Sequence, residues 1–234
     1  MNRMWYLRLT LTILLLLPVC LRSADAPLAL PANAQSHMPK GWKVIEMEFG
    51  DLNADGRADL VFVREEADPK KILKQLPAND GVRNYNPRVL TVLLAEEGGY
   101  RKLGEYPKFI PAAFFDEGPF MDDRFHGMKV EKGILTVSFH YWTSAGSGWT
   151  SIEGYKFRIE AGRIRLIGSE TDSFHRAMGD KDLVSTNYLT GKVKRTSGLN
   201  EFDEKESHPK VEWETLPSRN PIFLEDLPPC ARKD

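Results

Sequence analysis

Between two apolar segments, Gly50-Asp51-Leu52-Asn53-Ala54-Asp55-Gly56-Arg57-Ala58-Asp59 places three carboxylates and a carboxamide within nine residues. Like charges that close repel unless a cation sits among them. Counted from Asp51, oxygen side chains fall at positions one, three, five and nine, and Gly56 is at six. Alternate residues of a tight loop turn their side chains inward, and glycine at six permits the sharp turn. Arg57, at seven, can point its side chain outward and its carbonyl inward. This layout predicts a loop that holds a hard dication through oxygen. Position twelve, where an EF-hand carries a bidentate glutamate, is Phe62, and the flanks read as strands. The loop is therefore not an EF-hand, and Asp59 must supply the last carboxylate. The competing reading is a solvated acidic turn, since Asp and Asn favour such turns by themselves.

The run Phe49 to Val61 resembles the FG-GAP or VCBS-type repeat, the calcium-loop blade of integrin-like propellers and of many exported bacterial proteins. The resemblance covers about residues 41–64. It implies structural Ca2+ held by Asp51, Asn53, Asp55, the Arg57 carbonyl and Asp59, with a strand on each side. A propeller needs about four or more blades, yet no second copy of the motif occurs in the sequence; Gly179-Asp180-Lys181-Asp182 is a faint echo. The expectation is one repeat-like hairpin joined to another β-sheet.

Other residues invite chemistry more weakly. Asp116, Glu117, Asp122 and Asp123 contain the pairs of acids that glycoside hydrolysis needs, and they carry the alternative reading, a hydrolase acting on polysaccharide or peptidoglycan; an ordinary acidic loop is the plainer account. Gly146-Ser147-Gly148 lacks the G-x-S-x-G pattern of a nucleophile elbow. The five histidines show no metal-ligand spacing. No catalytic residue is assigned. His140 and Trp142 share a strand face with Thr136 and Ser138, opposite Leu135, Val137, Phe139 and Tyr141. Such aromatics can stack on a sugar, but a covering layer, for which the C-terminal tail is the candidate, is the expectation because tryptophan favours burial. Lys156, Arg158, Arg163 and Arg165 read as a solvated basic face or a dock for the acidic segment 201–206.

The elements that must position these residues are strands. Gly41 to Phe49 alternates, and Leu60-Val61-Phe62-Val63 is a continuous apolar run, as expected of a strand buried on both faces. Asp68 to Leu76 predicts a short helix. Arg88 to Ala95 and Tyr100 to Leu103 form a hairpin around Glu96-Glu97-Gly98-Gly99. Strands are then expected over 128–130, 134–142, 149–160, 163–171, one or two over 182–194, and a last one over 211–215. The fold class is mainly β: an antiparallel β-meander, with the calcium-loop hairpin at its N-terminal side and little helix.

Met1 to Leu21 has the basic start and apolar run of a secretory signal, too short for a comfortable membrane-spanning helix. Small residues suit cleavage after Ala26, where Pro27 obstructs it, or after Ala34. A lipidated Cys20, with Val19 where a small residue is needed, and a retained N-terminal anchor are the weaker readings. The organisation expected is a signal over 1–34, one β-rich domain over 35–196, and a charged, proline-rich extension over 197–234 packed on it or trailing from it. The first 34 residues hold Arg3, Arg8, Arg22 and Asp25, so 32 Lys+Arg and 33 Asp+Glu become 29 against 32, a net charge of −3. That balance predicts no nucleic-acid partner and no electrostatic membrane tether. The mature chain would keep only Cys230, hence no internal disulfide. Together these features predict a periplasmic or secreted calcium-binding protein that binds a glycan or an envelope protein and is not an enzyme.

Overall fold

The computed structural model describes residues 28–74, 82–114, 123–142, 147–202, 205 and 207–227. The protein is mainly β, and its two large sheets are antiparallel throughout. The first sheet has the order β1-β2-β5-β6, built from Trp42–Gly50, Asp59–Glu66, Arg88–Glu96 and Gly99–Tyr106. The second has seven strands in the order β13-β12-β11-β10-β9-β8-β7. These are Phe125–Glu131 (β7), Ile134–Tyr141 (β8), Trp149–Glu160 (β9), Arg163–His175 (β10), Asp180–Asn187 (β11), Lys192–Asn200 (β12) and Lys210–Thr215 (β13).

The continuous apolar run in β2 is covered on both faces, and its four residues are fully buried. Val61 and Val63, with Leu90 and Val92 of β5, face Leu135, Val137, Phe139 and Phe157 of the large sheet. Phe109 sits in this core, its ring edge-on to Phe139 at 5.6 Å and to Phe157 at 5.5 Å between centroids. Leu60 and Phe62 point the other way, onto Leu30, Ala34 and Val44. The segment around Ala34 is therefore packed chain, and the boundary expected after Ala34 runs through it.

The helix expected over 68–76 is a correction. Asp68 Oδ1 accepts the Lys70 N–H, Pro69 opens a single 3-10 turn, and the chain then enters β3 (Ile72–Lys74), paired with β4 (Val82–Asn84). Ile72 and Leu73 are exposed, so no apolar stripe exists to hold a helix on the core; residues 75 and 76 lie outside the described residues. At the other end, the C-terminal extension packs on the domain. Strand β12 runs on to Asn200, β13 pairs with it, the Leu166 N–H donates to the Ile222 carbonyl at 2.9 Å, and Leu224 enters the core.

That docking occupies the core face of the large sheet. The opposite face carries Thr136, Ser138, His140 and Trp142, and Ile152 near its centre is 45% exposed. Of the tail expected to cover His140 and Trp142, Leu224 enters the core, Glu201 lies beside the two aromatics, and residues 228–234 lie outside the described residues.

Candidate metal centre

The hairpin β1–β2 pairs in register down to Gly50↔Asp59, so the loop between them begins and ends at one rung. Two residues inside it take positive φ: Ala54 at 61° and Gly56 at 83°. They wrap the backbone around Asp51. Its Oδ2 accepts the Gly56 N–H at 2.9 Å and its Oδ1 the Asp55 N–H at 3.2 Å. Asn53 Oδ1 accepts the Asp55 N–H at 3.0 Å, and Asp55 Oδ1 accepts the Arg57 N–H at 2.8 Å. The Asn53 amide and the Arg57 N–H hold the Asp55 carboxyl below the usual carboxylate range, so it is ionised at neutral pH.

Asp59 differs from the others because it is fully buried. Its Oδ2 accepts the Leu52 N–H and its Oδ1 the Ala95 N–H, both at 2.8 Å. Burial pushes this carboxyl above its ordinary value; the two N–H donors oppose that, and the charges of Asp55 and Asp51 add to it. Asp59 thus feels the other two acids, and it fastens the loop to the end of β5. Leu52, whose N–H it holds, is buried in the core between the sheets. The loop also abuts the large sheet: a methyl group on Gly50 would lie 2.4 Å from Val130 Cγ1 of β7.

The donor set fits a hard dication. All the groups are oxygens, and each carboxylate oxygen that accepts one N–H keeps acceptor capacity for a cation. Asn53 Nδ2 donates to Asp55 Oδ2 at 3.0 Å, so an amide N–H supplies the positive end of a dipole where a cation would face that carboxylate. As they stand, no three carboxylate, imidazole or thiol groups converge on one point among the described residues. Ca2+ would require Asn53 to turn its oxygen inward in place of its Nδ2.

Of the other acidic candidates, only Asp123 lies among the described residues. Asp116, Glu117 and Asp122 lie outside the described residues. Asp123 is held by a fork: Arg88 Nη1 and Nη2 donate to its two oxygens at 2.7 Å. Arg88 Nε donates to buried Glu65 at 2.8 Å, and Glu65 also takes Lys43 at 2.9 Å and Asn84 at 2.8 Å. Burial pushes the Glu65 carboxyl up, but these three donors outweigh it and hold it below its ordinary value. This network joins β1, β2 and β5 to the chain entering β7. Sequence reading missed it, because Arg88 stands 23 residues from Glu65 and 35 from Asp123.

Of the remaining candidates, Ser147 Oγ accepts the Trp149 N–H at 3.1 Å, a turn contact, and Gly146 lies outside the described residues. Thr150 Oγ1 donates to the Tyr141 carbonyl, so His140 must donate to Thr150 from Nε2, at 2.9 Å. Arg176 lies over the Trp142 ring at 4.9 Å. The basic hairpin is matched by acids: Lys156 by Glu170, Arg158 and Arg165 by Glu160, Arg163 by Glu225 and Asp226. Glu201 pairs with Lys181, not with that hairpin.

In comparisons with known proteins, no family model matches this chain, and no curated protein and no solved structure matches it. The described residues contain no helix long and apolar enough to cross a membrane.

Proposed function

We propose that this chain is an exported, calcium-binding β protein, periplasmic or secreted, that works by binding a partner and not by catalysis. The carrying observation is the loop over 51–59. Its backbone is wrapped around three acids, and its fourth oxygen side chain is Asn53. Asp51, Asn53, Asp55, the Arg57 carbonyl and Asp59 would hold the ion. Its role would be structural. Leu52 and Gly50 seat the loop against the core and β7, so a cation there would fasten the corner where the two sheets meet. The apolar N-terminal run supports export, and the exposed face of the large sheet supports a binding role, with a glycan or an envelope protein as partner. The fork on Asp123 favours binding over hydrolysis, because a carboxylate clamped by arginine is poorly placed to exchange protons.

Calorimetric unfolding tests this reading, in EGTA and then in millimolar calcium, beside an Asp51→Ala/Asp55→Ala double variant. A ligand at a hundred times its dissociation constant adds about 2.7 kcal/mol. A raised Tm in the wild type alone is expected; equal Tm values with and without calcium in the wild type would leave the loop as an acidic turn.

A further inference from the structure

Gly154 stands inside β9, with Ser138 on one side and Glu170 on the other. Glycine weakens a strand interior and often marks close approach by a ligand. Nothing in the fold requires it here. Its φ is not positive, and a Cβ built on it meets no atom within 4 Å. The space above it is open, not crowded by neighbouring backbone. Over this bare point lies a furrow of about 400 Å³, which adjoins a second of about 350 Å³; Ile152 and Asp172 line both. Each is within the range of small-molecule sites, about 300–1,000 Å³.

The furrow crosses the face of the large sheet opposite the core, which no other element covers among the described residues. Its floor is a closed ladder of backbone hydrogen bonds, so recognition must come from side chains. These alternate in kind. Thr136, Ser138 and Ser185 offer hydroxyls, Asp172 a carboxylate, and Ile152 and Leu183 aliphatic surface. Asp172 is 47% exposed; its Oδ2 has Lys181 Nζ at 3.1 Å, and its Oδ1 is buried without a hydrogen-bond partner. An ionised carboxylate has about four acceptor positions, so this one is short of donors. Lys181 also takes Glu201 at 2.6 Å, and Lys156 takes Glu170 at 2.8 Å. The only charged residues lining the first furrow are Glu170 and Asp172, and these two acids oppose an anion there.

From this juxtaposition of a bare glycine, an undersupplied carboxylate, hydroxyls and aliphatic patches, we infer that the furrow binds a neutral oligosaccharide. A sugar ring presents the complementary pattern: hydroxyl donors at its edge and C–H groups on its face. Its hydroxyls donate to the exposed Oδ2 edge of Asp172, its C–H face rests on Ile152, and the ring passes over Gly154 where any side chain would stand in the way. An extended peptide fits less well, because its own N–H and C=O groups would meet a floor whose ladder is complete. The inference rests on the binding reading above and names the partner class.

The test is isothermal titration calorimetry of the full chain in calcium with cellohexaose, maltohexaose and chitohexaose, and with a heparin hexasaccharide as the anionic control. Wild type is expected to give saturable heat with at least one neutral sugar and none with heparin. Asp172→Asn should weaken that binding about tenfold, the loss of one charge-assisted hydrogen bond. Gly154→Val should abolish it while Tm holds or rises, since a β-branched residue suits a strand. No heat with any neutral sugar, preference for heparin, or a Gly154→Val protein that binds like wild type would overturn the inference. The calcium-dependent Tm shift is measured on the same samples. A shift that persists without sugar binding leaves the calcium reading standing and this one fallen; sugar binding without the shift does the reverse.

Discussion

Two acidic regions of this molecule resolve their charge in opposite ways. Around Glu65, the counter-charges are built into the chain: Arg88 reaches both Glu65 and Asp123, with Lys43 and Asn84 completing the set. Around Asp51, backbone N–H groups and one carboxamide face the acids, and no cationic side chain is hydrogen-bonded to them among the described residues. The first region is electrically finished. The second presents negative charge on a preset backbone, which is what a loop needs if the positive partner comes from solution.

The sharpest way to break this contrast is Arg88→Met. It leaves Glu65 without its buried cation, and loss of one partner from a buried pair costs about 3–5 kcal/mol. Urea unfolding should show that loss equally with and without calcium. The next effect in size is the calcium shift already described, about 2.7 kcal/mol at saturating ion, confined to the loop and removable by chelation. Equal sensitivity of both regions to EGTA would erase the contrast.

A smaller effect concerns pH. Glu65 titrates below its ordinary value of 4.5 in the folded protein, as does Glu105 under the influence of Arg64 and Lys102. A carboxyl depressed by folding stabilises the protein fully above its unfolded value, and that stabilisation is lost as pH falls through the folded value. Each unit of depression is worth about 1.4 kcal/mol. Stability followed by urea titration should therefore fall below about pH 4.5, and less steeply in Arg88→Met. The smallest expected change is Asp123→Asn. Asp123 is 40% exposed, and the neutral amide keeps one hydrogen bond to Arg88, so the cost should stay under about 1 kcal/mol. A larger loss would mean that Asp123, not Glu65, anchors the network.

The sequence carried the strands well because their signals are local. Leu60 to Val63 read as buried on both faces, and it is, between Val137 of the large sheet on one side and Leu30 on the other. The hairpin at Gly98 and the later meander followed from glycine turns and period-two alternation. The turn between β1 and β2 was legible because Asp, Asn and Gly favour such turns. Contacts between distant residues were not legible. Alternation assigns His140 and Trp142 to a face, but whether anything covers that face depends on where residues 222–227 dock, and they dock on the other one. Arg88 looks like any other arginine until folding brings Glu65 and Asp123 to it. Gly154 is one glycine among 18 until a structure shows the space above it to be empty.

The strand order has a kinetic consequence. In the large sheet every strand lies beside the one that precedes it in the chain, and in the small sheet only the β2–β5 junction skips, over the short β3–β4 ribbon. Closing a short loop costs little entropy, and doubling its length adds only about 0.6 kcal/mol. Each sheet can thus zip up in chain order as synthesis delivers it, the small one before the large one has emerged. The slow event should then be the meeting of the two finished surfaces, when Phe109 enters between Phe139 and Phe157.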